Sequence, residues 1–545
     1  MAGTHSDAGK SVVVAGICRW LAREGVSVAP FKAQNMALNS FVTREGAEIG
    51  RAQASQAAAA RAEPEVAMNP ILLKPSAGRT TQVVVRGKAR TTASAMSYGG
   101  MKKNLMPVVL ESLSDLRRRF DVVVCEGAGS PAEINLREND LANMGLARAA
   151  GLPVLLVGDI DRGGLFASLY GTLALLSPED QCLVAGFLVN KFRGDRAVLA
   201  PGLERMSALT GRPFLGTLPW MRGLGIDGED SLALDAPRPV KPPLGRDVLT
   251  VAVARLGRIS NFTDFDALAH EPGVSVRFTT SAHEILDADL AVLPGTKATV
   301  DDLKLLRSRG LDGTLTERAK RGLPTLGICG GYQMLGGRIE DGVESGESEA
   351  IGLGLLPVET FFEEEKTLGR PEGRAPGFGD AEVSGYEIHH GRVRHCGEPL
   401  FRVGDDTEGC RIGATLGTSW HGVFESDDFR RAFLAWVAAE RGLDWSPGEQ
   451  SFAAVRDAQL EKLGDLIADN VDRDALMRLI EDGPPCGLPV VRLRASGFRP
   501  QQRDSNGASV AETSRPAGAE PTSPAESVFA ATDANPNRPN LKADA

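Results

Sequence analysis

Residues 326–337 read Leu-Gly-Ile-Cys-Gly-Gly-Tyr-Gln-Met-Leu-Gly-Gly, and the cysteine among them, Cys329, is placed for covalent chemistry. An apolar run over 323–328 delivers it into a Gly-x-Cys-x-Gly turn, and a helix-like stretch follows. This strand–elbow–helix pattern presents a nucleophile at a sheet edge, and the small neighbours permit the tight backbone. The N-terminus of the following helix favours negative charge on the sulfur, which would then attack carboxamides and esters. A buried apolar cysteine after a strand is the plainer reading, but glycines on both sides and Gln333 four residues on weigh against it. The proton carrier such chemistry needs is one of seven histidines. His421, in Thr-Ser-Trp-His-Gly-Val-Phe-Glu, lies downstream of the cysteine; His389 and His390, in Gly-Tyr-Glu-Ile-His-His-Gly, are its rivals.

A second constellation opens the chain, Gly3-Thr-His-Ser-Asp-Ala-Gly-Lys-Ser11. It is a phosphate-binding loop with one residue more than the common Gly-x4-Gly-Lys-Ser spacing. Gly3 and Gly9 let backbone N–H groups of the loop, that of Thr4 included, converge on phosphate oxygens. Lys10 supplies a mobile positive charge, Ser11 can ligate magnesium, and the helix over 11–24 points its N-terminus at the same anion. Carboxylates to hold the metal are expected at Glu48, in Gly-Ala-Glu-Ile-Gly-Arg, and at Glu126, which ends the β-branched run after Asp121. Asp7 and Lys32 face the same crevice on this reading, and Asp159 and Asp161 follow another apolar run. A solvated loop charge is the bland alternative for each acid.

These groups must be positioned by a large α/β framework. Apolar runs alternate with helical patterns from residue 11 to about 220, as in a doubly wound parallel sheet. A Pro- and Gly-rich stretch reads as a linker, and a strand over 248–254 opens a second α/β domain. The expected division is an ATP-binding, carboxylate-activating domain over 1–234, a linker over 235–247 and an amidotransferase domain over 248–445, with closing helices over 446–496. From about residue 497 the composition is that of a disordered tail, rich in Ser, Pro, Ala and Asn. The 545 residues suffice for several cores, and a net charge of −10 argues against nucleic acid or an anionic membrane as main partner. Seven unclustered cysteines fit a reducing, cytoplasmic setting. No apolar run reaches 18 residues, and no basic-then-apolar leader occurs. Only Met1 and Ala2 precede Gly3, where a central strand normally delivers the loop. The expectation is an unanchored loop with exposed strand edges beside it, and a translation start upstream of Met1.

The Cys329 elbow resembles that of class I glutamine amidotransferases, Gly-x-Cys-x-Gly-x-Gln. The resemblance implies a glutamyl-thioester on Cys329, His421 as proton carrier and Gln333 holding the glutamine. It also implies an oxyanion hole from the N–H groups of Gly330 and of Gly295, in Leu293-Pro-Gly-Thr-Lys. Many of these enzymes read His-Pro-Glu; here Gly422 and Val423 follow the histidine, and Glu425, the nearest acid in sequence, is the candidate orienter. The longer phosphate loop is similar to that of dethiobiotin synthetase and its relatives, which activate carboxylates with ATP and magnesium. In that group Asn190 and Lys191 occupy the adenine-reading position.

An ATP site that activates carboxylates, fused to a source of ammonia, makes amides. Five strings resemble the cobyric acid synthase family of corrinoid amidases. They are Pro30-Phe-Lys-Ala-Gln-Asn-Met-Ala-Leu-Asn-Ser40, Glu48-Ile-Gly-Arg-Ala-Gln53, Met68-Asn-Pro-Ile-Leu-Leu-Lys-Pro75, Gly158-Asp-Ile-Asp-Arg-Gly-Gly164 and Arg258-Ile-Ser-Asn-Phe-Thr-Asp-Phe-Asp266. The likeness covers residues 3 to about 480. It implies amidation of the b, d, e and g carboxylates of adenosylcobyrinic acid a,c-diamide to adenosylcobyric acid, in cobalamin biosynthesis, with one ATP and one glutamine per round. Oligomeric state stays open. An amidase for another corrinoid or a cell-wall lipid carboxylate is disfavoured by the last string. A partition-type P-loop switch is disfavoured because residues 3–9 hold no lysine while Cys329 and His421 are both present.

Overall fold

Strands whose side chains are buried on both faces read as continuous apolar runs, and such runs build the first sheet. The computed structural model describes residues 1–76, 80–221, 234, 239–395 and 397–492. In order along the chain come β1 (Ala2–Gly3), α1 (Lys10–Arg23), β2 (Val28–Phe31), α2 (Arg51–Ala59), β3 (Val122–Cys125), β4 (Val154–Asp159), β5 (Val184–Phe192) and β6 (Phe214–Pro219). All of these strands pair in parallel, as β2–β3 and as β1–β4–β5–β6. A mixed sheet, unforeseen in the sequence, is inserted between β2 and β3 from Gln34–Met36, Ile71–Pro75, Thr80–Val85 and Lys88–Ser94.

The loop is anchored, contrary to the sequence expectation. The stub β1 pairs with Leu156 and Val157 of β4, and Thr4 N–H donates to the Val157 carbonyl at 3.0 Å. On its other side the Met1 amine donates to Cys125 O at 2.6 Å, and Gly127 N–H to Met1 O at 2.8 Å. Residues 1–4 thus bridge β3 and β4 at the ends that carry the chemistry. Behind them a cavity of about 620 Å³ lies between these strands, lined by Val122, Val124, Val154 and Leu155 among others.

The second sheet runs β8–β7–β9–β10–β12–β11 across space: β7 (Leu249–Ala254), β8 (Val274–Thr279), β9 (Leu290–Leu293), β10 (Thr325–Ile328), β11 (Cys410–Ile412) and β12 (Thr415–Thr418). Its pairings are parallel except at the edge, where β11 meets β12 in a hairpin. Helix α3 (Gly330–Leu335) follows β10. Between α3 and β11 the chain builds further, mostly antiparallel sheet, including the long pair Val358–Gly369 and Glu387–His395.

Helices α4 (Phe452–Asn470) and α5 (Arg473–Asp482) close the fold by returning to the first domain. Helix α1 meets α4 so closely at Gly16 that a Cβ there would stand 2.7 Å from Ile467 Cγ1 and 2.8 Å from Leu463 O. The buried Arg19 is matched by Asp457 at 2.8 Å and Glu461 at 3.0 Å on α4. Both sheets and these helices belong to one compact unit. The tail expected from residue 497 and positions 235–238 of the expected linker lie outside the described residues. No helix among the described residues is long and apolar enough to cross a membrane.

Candidate active site

Cys329 follows β10 directly, and α3 begins one residue later. Its backbone takes φ 49° and ψ −110°, a left-handed region that is costly for a residue with a Cβ. Surrounding contacts hold that strain. Cys329 N–H donates to Thr418 O at 2.8 Å, and a Cβ on Gly331 would meet Leu293 O at 2.0 Å. Only glycine lets α3 pack against β9, so the elbow motif is a steric requirement here.

His421 is buried and fixed from two sides. Its backbone exchanges hydrogen bonds with Tyr386 at 2.9 and 3.0 Å, and the two rings stack at 5.5 Å. Its Nδ1 lies 2.7 Å from Asp264 Oδ2, while the other oxygen of Asp264 accepts from Gly422 N–H at 2.9 Å. A carboxylate at Nδ1 assigns the ring orientation and leaves Nε2 for the thiol. That buried Nε2 has no other hydrogen-bond partner among the described residues. Burial opposes charge on the imidazole, but Asp264 and Cys329 outweigh it and raise its pKa to about 10. The sign of the pH effect follows. The folded value lies above the ordinary 6.5, so the contact contributes its full stability below about pH 6.5 and loses it as pH rises toward about 10. Denaturant unfolding across this window is expected to show the decline, and Asp264→Asn to flatten it.

The orienter expected from sequence, Glu425, is corrected by this geometry. Its carboxylate pairs with Arg51 of α2 and, at 3.3 Å, with Arg456 of α4, so it clamps the two domains together. Asp264 lies in the string Arg258-Ile-Ser-Asn-Phe-Thr-Asp-Phe-Asp266, where nothing local marks it as the partner of a histidine 157 residues away. It sits on a short helical turn, Phe262–Phe265, that the first domain grips: Ser40 N–H donates to Asn261 Oδ1 at 2.8 Å, and Phe262 N–H to Asn39 Oδ1 at 3.2 Å. Neither rival histidine is held by a carboxylate as closely. His389 lies 3.4 Å from Glu387, and His390 Nδ1 meets the Glu363 carbonyl at 3.0 Å.

Gln333 is buried, accepts from Thr299 Oγ1 at 3.1 Å and donates to Gly391 O at 3.4 Å. It pins α3 to the strand of the paired histidines. Gly295 lies beside His421, where a Cβ would stand 2.6 Å from Cε1, and Gly330 lies against Thr296 N. The two expected oxyanion donors therefore flank the same corner of the pocket.

At the other site, a Cβ on Gly9 would come within 2.0 Å of Asn190 Nδ2, and Gly9 takes φ +93°; glycine is required twice over. Lys10 is buried and reaches the carbonyls of His5, Ser6 and Gly129 at 3.0–3.1 Å. Glu126 is met by Lys32 at 2.9 Å, Ser11 Oγ at 2.8 Å and Gln56 Nε2 at 2.5 Å. Burial alone would raise its carboxyl, yet Lys32 and these hydrogen bonds hold it below the usual carboxylate range. Asp7 pairs with Arg162 at 2.7 Å, and Lys191 bonds both Asp7 O and Asp159. Asn190, expected at the adenine-reading position, donates from Nδ2 to Ala8 O at 3.0 Å and so buttresses the loop.

Glu48 is corrected as a metal acid. Both its oxygens are taken by ammonium groups, Lys74 and Lys366, each at 2.6 Å, in a triad that spans the domains, with Glu48 and Lys74 buried and Lys366 nearly so. Burial lowers Lys366 to about 8, with Glu48 resisting. Glu48→Gln leaves two ammoniums facing a neutral amide, and a loss of about 3–5 kcal/mol is expected in denaturant unfolding. Among the described residues no group of three or more His, Cys, Asp or Glu side chains could hold a metal. Ser11 beside Glu126 remains, and it suits a small hard cation whose other ligands are phosphate and water.

A nucleophile elbow with an Asp–His pair, in the chain that carries a phosphate loop, defines a glutamine amidotransferase joined to a nucleotide-binding domain. Comparison with known families agrees: residues 1–231 match the CobQ/CobB/MinD/ParA nucleotide binding domain and residues 250–429 the CobB/CobQ-like glutamine amidotransferase domain. The chain belongs to the cobyric acid synthase family and is a glutamine-dependent amide synthase. It is 58% identical to the cobyric acid synthase of Streptomyces coelicolor and 59% to that of Streptomyces avermitilis, each alignment covering 90% of this chain and 98% of the relative. The Frankia casuarinae cobyric acid synthase is 56% identical, over 91% of this chain and 99% of its own.

Proposed function

We propose that the chain amidates the b, d, e and g carboxylates of adenosylcobyrinic acid a,c-diamide, a step of cobalamin biosynthesis, using ATP, magnesium and glutamine. The observation that carries this reading is the alignment with enzymes of that name along 98% of their own length, so that both sites fall inside it. Residues 1–234 serve as the activating domain and 248–445 as the source of ammonia, with 446–496 closing the former.

The Cys329 sulfur attacks the carboxamide carbon of glutamine. His421 carries the thiol proton and delivers it to the departing nitrogen, and Gly330 and Gly295 N–H groups stabilise the oxyanion. Water then releases glutamate from the thioester. At the other site the loop N–H groups and Lys10 orient the ATP γ-phosphate against a substrate carboxylate oxygen. Ser11 and Glu126 would hold magnesium, which would supply charge neutralisation on the phosphates. ADP leaves, ammonia attacks the acyl carbon of the resulting acyl phosphate, and the C–O bond breaks with loss of phosphate and a proton. One site serving four carboxylates requires release and rebinding of the corrinoid between rounds.

The test is mass spectrometry of the corrinoid after incubation with ATP, magnesium and glutamine labelled at its amide nitrogen. Four successive gains, each carrying the label, are expected, with partly amidated products free in solution during the early rounds. An unchanged corrinoid alongside released glutamate would assign the enzyme to a different carboxylate.

A further inference from the structure

Cys329 opens onto an inner pocket of only about 30 Å³, room for about one water and not for an amino acid. Outside it lies a cleft of about 600 Å³, between the hairpin Thr80–Val85 and Lys88–Ser94 of the first domain and the loop over 341–345 of the second. Three side chains line both spaces and so form the neck between them: Lys297, Glu344 and His390. Lys297 and Glu344 are ion-paired there, with only 8% and 14% of their side chains exposed. Each is held from behind. Lys297 N–H donates to Arg258 O at 3.0 Å, and Asp341 accepts from Glu344 N–H at 2.7 Å, shaping the loop that brings Glu344 to the neck.

We propose that this pair is a gate that the amide donor opens by replacing it: the α-ammonium of glutamine goes to Glu344, the α-carboxylate to Lys297, and the carboxamide to Cys329. The proposal rests on the reading of Cys329 as a glutamine-directed nucleophile. A zwitterion entering a buried pocket needs one anion and one cation, because an unpaired buried charge is costly. Among the described residues lining the inner pocket, Glu344 is the one carboxylate. The other two lysines there, Lys74 and Lys366, already share Glu48 at 2.6 Å each. Exchange of the resting pair for two new pairs leaves no charge bare at any stage. It also makes the neck selective for ω-amides that carry both α-groups.

The experiment compares kcat/KM for hydrolysis of glutamine, of 4-carbamoylbutanoate (no α-amino group) and of glutamine α-methyl ester (no α-carboxylate). Ratios are taken within one preparation, so the folded fraction cancels. Glu344→Gln is expected to shrink the preference for glutamine over 4-carbamoylbutanoate about 10-fold or more, and Lys297→Met the preference over the ester by a similar factor. Ratios within about twofold of wild type in both variants would overturn the gate. So would a shift of the ester ratio by Lys366→Met in place of Lys297→Met. Wild-type protein that releases no glutamate from glutamine would instead overturn the underlying reading of Cys329.

Discussion

Asparagine at position 264 is expected to lower glutamine-supported amidation by about three orders of magnitude. The substitution keeps the shape of the side chain and one oxygen for Gly422 N–H. It removes the anion 2.7 Å from His421 Nδ1 and puts an amide there whose N–H₂ can donate to the ring. The imidazole then favours the tautomer with its proton on Nε2, which cannot take the thiol proton from Cys329. Amidation supported by ammonium salts, followed in parallel, locates the lesion in ammonia supply, because that reaction bypasses the thioester. Glu425→Gln is the contrast: its carboxylate serves Arg51 and Arg456, and a change of no more than about threefold in kcat is expected, with some loss of stability. Deep loss in Glu425→Gln with near-normal Asp264→Asn would reverse the assignment.

Methionine at position 10 is expected to abolish amidation from either nitrogen source, by about 10³-fold, while glutamate release continues. Lys10 is held over the loop by three carbonyls, and in the function proposed above its charge meets the terminal phosphate there. Methionine keeps the length and apolar stem of this buried side chain and deletes the charge together with its hydrogen bonds to the loop. Product mass spectrometry and a glutamate assay on the same sample read both halves. Together with Asp264→Asn this forms a double dissociation: one variant loses the ammonia, the other its use. Parallel loss of glutamate release in Lys10→Met would mean that the loop also governs the amidotransferase half.

Much of this was legible in the primary structure. The elbow around Cys329 and the loop over 3–11 are local devices, in which glycine spacing, a strand and a helix N-terminus suffice, and both form as expected. Parallel strands followed from uninterrupted apolar runs, for the same local reason. The mixed sheet inserted between β2 and β3 was not legible, because most of its strands are short or exposed and carry no periodicity that separates them from loops. Helices α4 and α5 were expected, but not their return to α1, which depends on Gly16 offering a flat surface to Ile467.

The residues alone point to a cysteine elbow, a histidine downstream of it and a phosphate loop. Which acids meet them is set by the packing of the fold. Asp264 stands 157 residues from His421, and Glu48 stands 318 residues from Lys366. Proximity in sequence favoured Glu425 as orienter, and the string Gly-Ala-Glu-Ile-Gly-Arg favoured Glu48 as a metal acid. A carboxylate has no intrinsic role: orienter, clamp and metal ligand differ only in which cation or ring nitrogen the fold brings within about 3 Å, and that meeting is made by the packing of two domains.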